Sequence, residues 1–275
     1  MKIDSHHHFW RYSTEEYGWI SEEMAALRRD FMPADLEPVI KSAGIDGVVS
    51  VQARQTETET EDLLALGREH DFIRGVVGWA PLADRDVEAV LERWAVEEKL
   101  KAVRHVVQDE PDDLFILGED FNRGVGLLER FGLLYDILIF EKHLPQTIAF
   151  VDRHPNQRFV LDHIGKPRIR EGSIETWSGD LARLAERENV SCKISGMATE
   201  ADWDGWSYEQ MRPYFDAVLE SFGPKRLMFG TDWPVCLVAT EYARWVETVE
   251  RWASRLAEDE RQRIWGGTAV EVYGL

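Results

Sequence analysis

The sequence is short of nearly everything that would tie it to a charged polymer, a membrane or an oxidising compartment. Only two of its 275 residues are cysteine, Cys192 and Cys236, and both lie in apolar surroundings (VSCKIS and PVCLV), so they read as buried thiols rather than as a bridge. No stretch approaches the roughly 20 apolar residues of a membrane-spanning helix, and Lys2, Asp4 and the histidines after them leave no apolar core for a signal peptide. Positive charge is scarce too: 32 basic against 51 acidic side chains give a formal charge of -19, which repels phosphate backbones and anionic lipid surfaces. The expectation is a cytoplasmic protein that acts on a small molecule, with no nucleic-acid or membrane partner. Whether it forms a homo-oligomer is left open.

No Ser/Gly/Pro-rich linker, composition shift or low-complexity tract divides the chain, so residues 1–275 are expected to form one domain. Short β-branched runs recur along it: KIDSH, DGVVSVQ, FIRGVVGW, KAVRHVV, LLYDILIF, RFVLDHIG, VSCKISG and RLMFGTDW. Between them lie stretches with helical spacing of apolar residues, such as ADLEPVIKSAG, EDLLALGREHD, DVEAVLERWAVEEK, GVGLLERFG, LPQTIAFVDRHP and MRPYFDAVLESFGP. Gly44, Gly132, His154-Pro155 and Gly223-Pro224 supply stop signals. Eight alternating units predict an α/β fold of the (β/α)8 TIM-barrel type. No Gly-rich nucleotide fingerprint supports an open sheet, because GVGLLE lacks the third glycine.

One connection departs from the pattern. About 25 residues, Phe9 to Pro33, follow the first strand without a clear helical period, and they carry Trp10, Tyr12, Tyr17 and Trp19. In a barrel the βα loops build the active-site face, so this long aromatic loop is a candidate lid over a pocket, with Trp10 a candidate substrate contact. A loop packed on its own aromatics is the alternative.

The chemistry-bearing residues fall at strand ends. Side chains alternate along a strand, so in IDSHHH the residues Asp4, His6 and His8 share one face and His7 takes the other. Two imidazoles at one strand end can bind a metal or donate hydrogen bonds to a substrate oxygen; a solvated or structural pair is the plainer account. His163 ends the sixth run in FVLDHIGKP, and Asp232 ends the eighth in LMFGTDWPV, where it could also simply cap a turn. Strands one and eight are neighbours in a closed barrel, which would bring Asp232 to His6 and His8. A carboxylate among imidazoles can accept a proton from water, bind a cation, or do both. Further candidates for substrate contact are Arg104 or His105 in AVRHVV, of which alternation lets only one face inward, and Gln52, Asp136 and Lys166. Asp136 lies in an otherwise apolar run, and a buried carboxylate needs a partner. There is no GxSxG, and neither cysteine has a recognisable catalytic partner.

Taken together, DSHHHFW at the N-terminus, LDHIGKP around His163 and GTDWPV around Asp232 resemble the amidohydrolase superfamily, and within it the sugar-lactonase branch of L-fuconolactonase-like and L-rhamnonolactonase-like enzymes, related to dicarboxylate lactonases. The resemblance spans the whole chain. It implies one site shared by His6, His8, His163 and Asp232, hydrolysis of a carbohydrate-derived lactone, and Arg104 and His105 in the strand-four segment near the substrate. Many superfamily members also hold two metals on a bridging carboxylated lysine and a further histidine. Here the fifth strand ends YDILIF and the seventh KISGM, with no matching lysine or histidine, which argues against a binuclear centre. His6, His8, His163 and Asp232 could hold one Zn²⁺ or Mn²⁺, while the lactonase branch includes members that work without metal. A metal-dependent decarboxylase of the same superfamily, and a non-catalytic barrel that binds a sugar acid or metal, are the alternatives.

Overall fold

The computed structural model describes residues 1–275. Eight parallel strands run in the order β1 to β8: Ile3–His7, Gly47–Val51, Ile73–Gly78, Leu100–Val106, Leu134–Leu138, Phe159–Leu161, Val190–Ile194 and Leu227–Phe229. The helices between them are α1 Pro33–Ala43, α2 Glu57–Glu69, α3 Val87–Trp94, α4 Glu119–Val125, α5 Leu144–Arg153, α6 Glu175–Ala185, α7 Tyr208–Phe222 and α8 Tyr242–Ala253. This is a (β/α)8 barrel. No helix is long and apolar enough to cross a membrane.

Local chemistry places these elements. Pro33 opens α1, where its fixed φ suits the first turn, and Gly44 ends it in the left-handed conformation at φ 67°. Thr56 and Ser207 cap α2 and α7 by accepting the backbone N–H of Glu59 and Gln210. The barrel closes past the formal end of β8: Asp232 N–H donates to the His6 carbonyl at 2.8 Å, and His8 N–H donates to the Trp233 carbonyl at 2.7 Å. The lower interior is apolar, built from Ile3, Val49, Val77, Ala102, Leu134, Val160 and Met228. Two short helices after α8, α9 Glu258–Gln262 and α10 Thr268–Tyr273, were not legible as separate elements; Ala269 and Tyr273 of α10 plug this apolar floor.

Two expectations need correction. GVGLLERFG is not a helix of its own: α4 ends at Val125, the second residue of the run, and Leu128–Phe131 form a 3-10 turn that Gly132 ends at φ 68°. Gly124 sits inside α4 because that helix meets the chain at Leu82, whose carbonyl oxygen would lie 1.9 Å from an added Cβ. Asp4 does not share a face with His6 and His8. The β1–β2 register shifts between Asp4 and His7, and the Asp4 carboxylate accepts from Thr231 Oγ1 at 2.6 Å and from the Tyr242 hydroxyl of α8 at 3.0 Å. The 3.6-residue period of GVGLLERFG was genuine as a pattern but too short and glycine-rich to sustain a helix.

The segment after β1 is closed by an isolated antiparallel bridge between Trp10 and Phe31 and holds one 3-10 turn, Ala25–Leu27. Trp10 and Tyr17 are buried, whereas Trp19 is among the exposed large apolar side chains.

Gly124→Ala is expected to destabilise the fold by about 1–3 kcal/mol through overpacking against Leu82. A thermal denaturation midpoint equal to that of the parent protein would show that α4 can retreat from this contact at no cost.

Candidate active site

His6 and His8 project from the end of β1, Asp232 from the loop after β8, and His163 from the turn after β6. His6 Nε2 lies 3.2 Å from His8 Nε2, and Asp232 Oδ1 lies 3.2 Å from His8 Nε2, 3.7 Å from His6 Nε2 and 4.0 Å from His163 Nε2. All four are buried. The backbone turns sharply to present two of them. Asp232 has φ 61°, and His163, Ile164, Gly165 and Lys166 form a run of positive φ values of 52°, 50°, 74° and 49°. Left-handed backbone is costly for side chains with a Cβ and most of all for β-branched Ile164, so surrounding contacts must hold it. The Trp177 indole N–H donates to the Ile164 carbonyl at 2.8 Å, and His163 Nδ1 bonds Ser195 Oγ at 2.9 Å. Gly196, at φ 65°, leaves room for this imidazole: an added Cβ would lie 2.5 Å from His163 Nδ1.

The charges in the site are decided by burial and by partners. Burial pushes His6 well below the usual imidazole range and His163 down to about 3, so both are neutral near pH 7. Burial alone would push the Asp232 carboxyl up, but His163, His8 and Lys166 outweigh it and hold it below the usual carboxylate range. Asp232 is therefore a carboxylate beside the neutral imidazoles of His6 and His163. His8 Nδ1–H donates to the Val51 carbonyl at 2.8 Å, which leaves Nε2 facing Asp232 Oδ1.

Above this cluster opens a cavity of about 810 Å³. His8, His163 and Asp232 reach it from the floor, with Arg104 and Lys166 beside them; Trp19, Phe140 and Trp203 add aromatic surface, and Glu16, Arg54, Gln108 and Glu200 add polar groups. Of the pair on β4, Arg104 faces inward and His105 does not. His105 stacks on Phe115 with ring centroids 4.8 Å apart and pairs with Glu110 at 2.6 Å, on the outer side of the strand. Trp10, Gln52 and Asp136 also lie off the cavity. Trp10 donates its indole N–H to the Arg29 carbonyl at 2.9 Å, Gln52 donates its side-chain amide to the Arg104 carbonyl at 3.3 Å and accepts from the Arg104 guanidinium at its own carbonyl, and Asp136 is fully buried.

The chain matches the amidohydrolase family over residues 3–275. This chain belongs to that family. The L-fucono-1,5-lactonase of Burkholderia multivorans is 42% identical over an alignment covering 100% of this chain and 96% of the relative, and that of Burkholderia ambifaria is 36% identical with the same coverage. A crystal structure of a Burkholderia multivorans amidohydrolase with bound zinc superposes with a TM-score of 0.97 at 42% identity, covering 100% of this chain and 99% of that one.

In this amidohydrolase the donor set suits a single cation. Two lone pairs 3.2 Å apart, His8 Nε2 and Asp232 Oδ1, repel unless positive charge lies between them, either a proton on His8 or a bound metal ion. Ligands about 2.0–2.1 Å from a tetrahedral zinc lie about 3.4 Å from one another, close to the spacing of His6, His8 and Asp232. These three residues would hold the ion.

Two residues of this region escaped sequence reasoning. Asp162 on the turn after β6 and Lys193 on β7 are both fully buried. Lys193 Nζ lies 2.6 Å from Asp136 Oδ2 and 2.9 Å from Asp162 Oδ1, while Arg104 Nη1 donates to Asp162 Oδ2 at 2.9 Å. The signal that could have found them is a lone charge inside an apolar strand, read in YDI, LDH and CKI together rather than in YDI alone.

If His6, His8 and Asp232 form the cation site, His8→Ala weakens zinc binding by about tenfold or more in a competition titration with a chromophoric chelator. Equal zinc affinity in both proteins would exclude this trio.

Proposed function

We propose that this protein hydrolyses the lactone of a sugar acid, and that L-fucono-1,5-lactone defines the substrate class. The observation that carries the reading is the ionised, buried Asp232 carboxylate, set within 4.0 Å of the His6, His8 and His163 imidazoles on the floor of a polar and aromatic cavity. The names of the two full-length relatives support it independently.

Ring opening adds one water across an acyl C–O bond. Asp232 accepts a proton as water attacks the lactone carbonyl carbon. The oxyanion that develops is met by the Arg104 guanidinium, which Asp162 and the Gln52 carbonyl hold in place, and by the imidazoles beside it. Collapse of the tetrahedral adduct breaks the bond to the ring oxygen, and the proton on Asp232 passes to that oxygen as it leaves. The product is the open-chain sugar acid. A divalent ion such as Zn²⁺ or Mn²⁺ on His6, His8 and Asp232 would supply Lewis acidity toward the same carbonyl or water. Trp19, Phe140 and Trp203 suit the CH faces of a sugar ring, and Lys166, Arg54, Gln108 and Glu200 suit its hydroxyls.

Asp232→Asn is expected to lower kcat/KM for L-fucono-1,5-lactone by about 10²–10⁴, with binding of the sugar acid retained, followed as proton release with a pH indicator. Undiminished turnover would remove Asp232 from the role of base. Wild-type protein inactive on a panel of aldonolactones, with and without added Zn²⁺ or Mn²⁺, would overturn the lactonase reading and favour decarboxylation or binding alone.

A further inference from the structure

The interior beneath the reacting side chains contains a second group of potential ligands, His6, Asp162 and His163, whose donor atoms lie within 4.8 Å of one another. A cation there would bridge β1 and β6. The protein already supplies positive charge at that place. Lys193 Nζ sits 2.9 Å from Asp162 Oδ1 and 3.3 Å from His6 Nδ1, and Arg104 Nη1 sits 2.9 Å from Asp162 Oδ2 and 3.3 Å from His6 Nε2. Asp136 completes the group, accepting from Lys193 at 2.6 Å and from the Tyr273 hydroxyl of α10 at 2.7 Å. Two carboxylates and two cations balance without any ion from solvent.

We propose that Lys193 is a positioning residue that stands in for a second cation: its ammonium neutralises Asp162, fixes His6 between β1 and β7, and limits the affinity of the His6, His8 and Asp232 trio for a divalent ion. The physical basis is charge and geometry. Lys193 and Arg104 face the two ring nitrogens of His6, so any ion bound at His6 Nε2 lies close to two fixed positive charges in a site shielded from water, where like-charge repulsion is weakly screened. The ammonium also occupies the space that an ion between His6 and Asp162 would need. This inference rests on the assignment of His6, His8 and Asp232 as the reacting site, but its tests use zinc alone and no substrate.

Removing Lys193 by itself would leave Asp136 buried without its partner, so the informative variant is the pair Lys193→Met with Asp136→Asn, which removes one charge of each sign. The double variant is expected to bind zinc about tenfold or more tightly than wild type in a chelator competition titration. A merely structural role for Lys193 predicts the opposite direction, because a loosened His6 binds zinc less well. Unchanged or weaker zinc affinity in a double variant that melts cooperatively would overturn the proposal. Zinc soaked into crystals of the unaltered protein gives a second readout that requires no variant. Anomalous density is expected at His6, His8 and Asp232 and not between His6 and Asp162; density at the latter position would overturn it. Failure of wild-type protein to open lactones would sink the lactonase reading while leaving both zinc outcomes decisive for Lys193.

Discussion

The seam between the last strand and the first is the constraint on which the site depends. Backbone bonds from Asp232 to His6 and from His8 to Trp233 join two segments more than 220 residues apart in the chain and close the barrel at its upper rim. The same bonds set Asp232 Oδ1 beside the imidazoles of His6 and His8. Barrel closure and site assembly are thus one event, and an error in the register of β8 against β1 would cost both. The register shift within β1 belongs to the same seam: it turns Asp4 toward Thr231 and Tyr242, where it braces the loop that carries Asp232.

Below the seam the barrel interior is divided by polarity. The lower layer is aliphatic and is stoppered by α10, whereas the layer above it holds Asp136, Asp162 and Lys193 out of contact with solvent, with Arg104 reaching from it to the cavity. Burying four ionised groups carries a large desolvation cost, and it is tolerable only where the charges pair at hydrogen-bonding distance. The Tyr273 hydroxyl links the two layers, since the side chain that plugs the apolar floor also bonds Asp136. The result is a rigid ionic base for His6, with the floor and the site mechanically connected.

The upper rim is where the backbone departs from comfortable geometry. His163 through Lys166 and Asp232 adopt left-handed φ values, and non-glycine residues in that region are held by their surroundings rather than by their own preference. That strain aims an imidazole, an ammonium and a carboxylate into one cavity from two strands. Nothing in the letters DHIGKP or TDWPV reports a φ angle, although the closeness of Gly and Pro to a strand end marks where the chain must turn.

What the sequence determined by itself was the alternation of strands and helices and the residue types at strand ends, because hydrophobic period and motif order are local properties of the chain. His6, His8, His163 and Asp232 were legible for that reason. The facing of Arg104 against His105 was not, since adjacent strand residues differ only by which side the barrel makes its inside. Asp4 was misplaced because a single bulge reverses alternation, and a bulge is a property of two paired strands. GVGLLERFG misled because helical spacing over nine residues does not outweigh its glycines. Lys193 and Asp162 were invisible as partners because their interaction crosses β6 and β7 and reaches β1, β4 and β5; only tertiary structure brings five strands to one charge, and only there does burial decide which charges must pair.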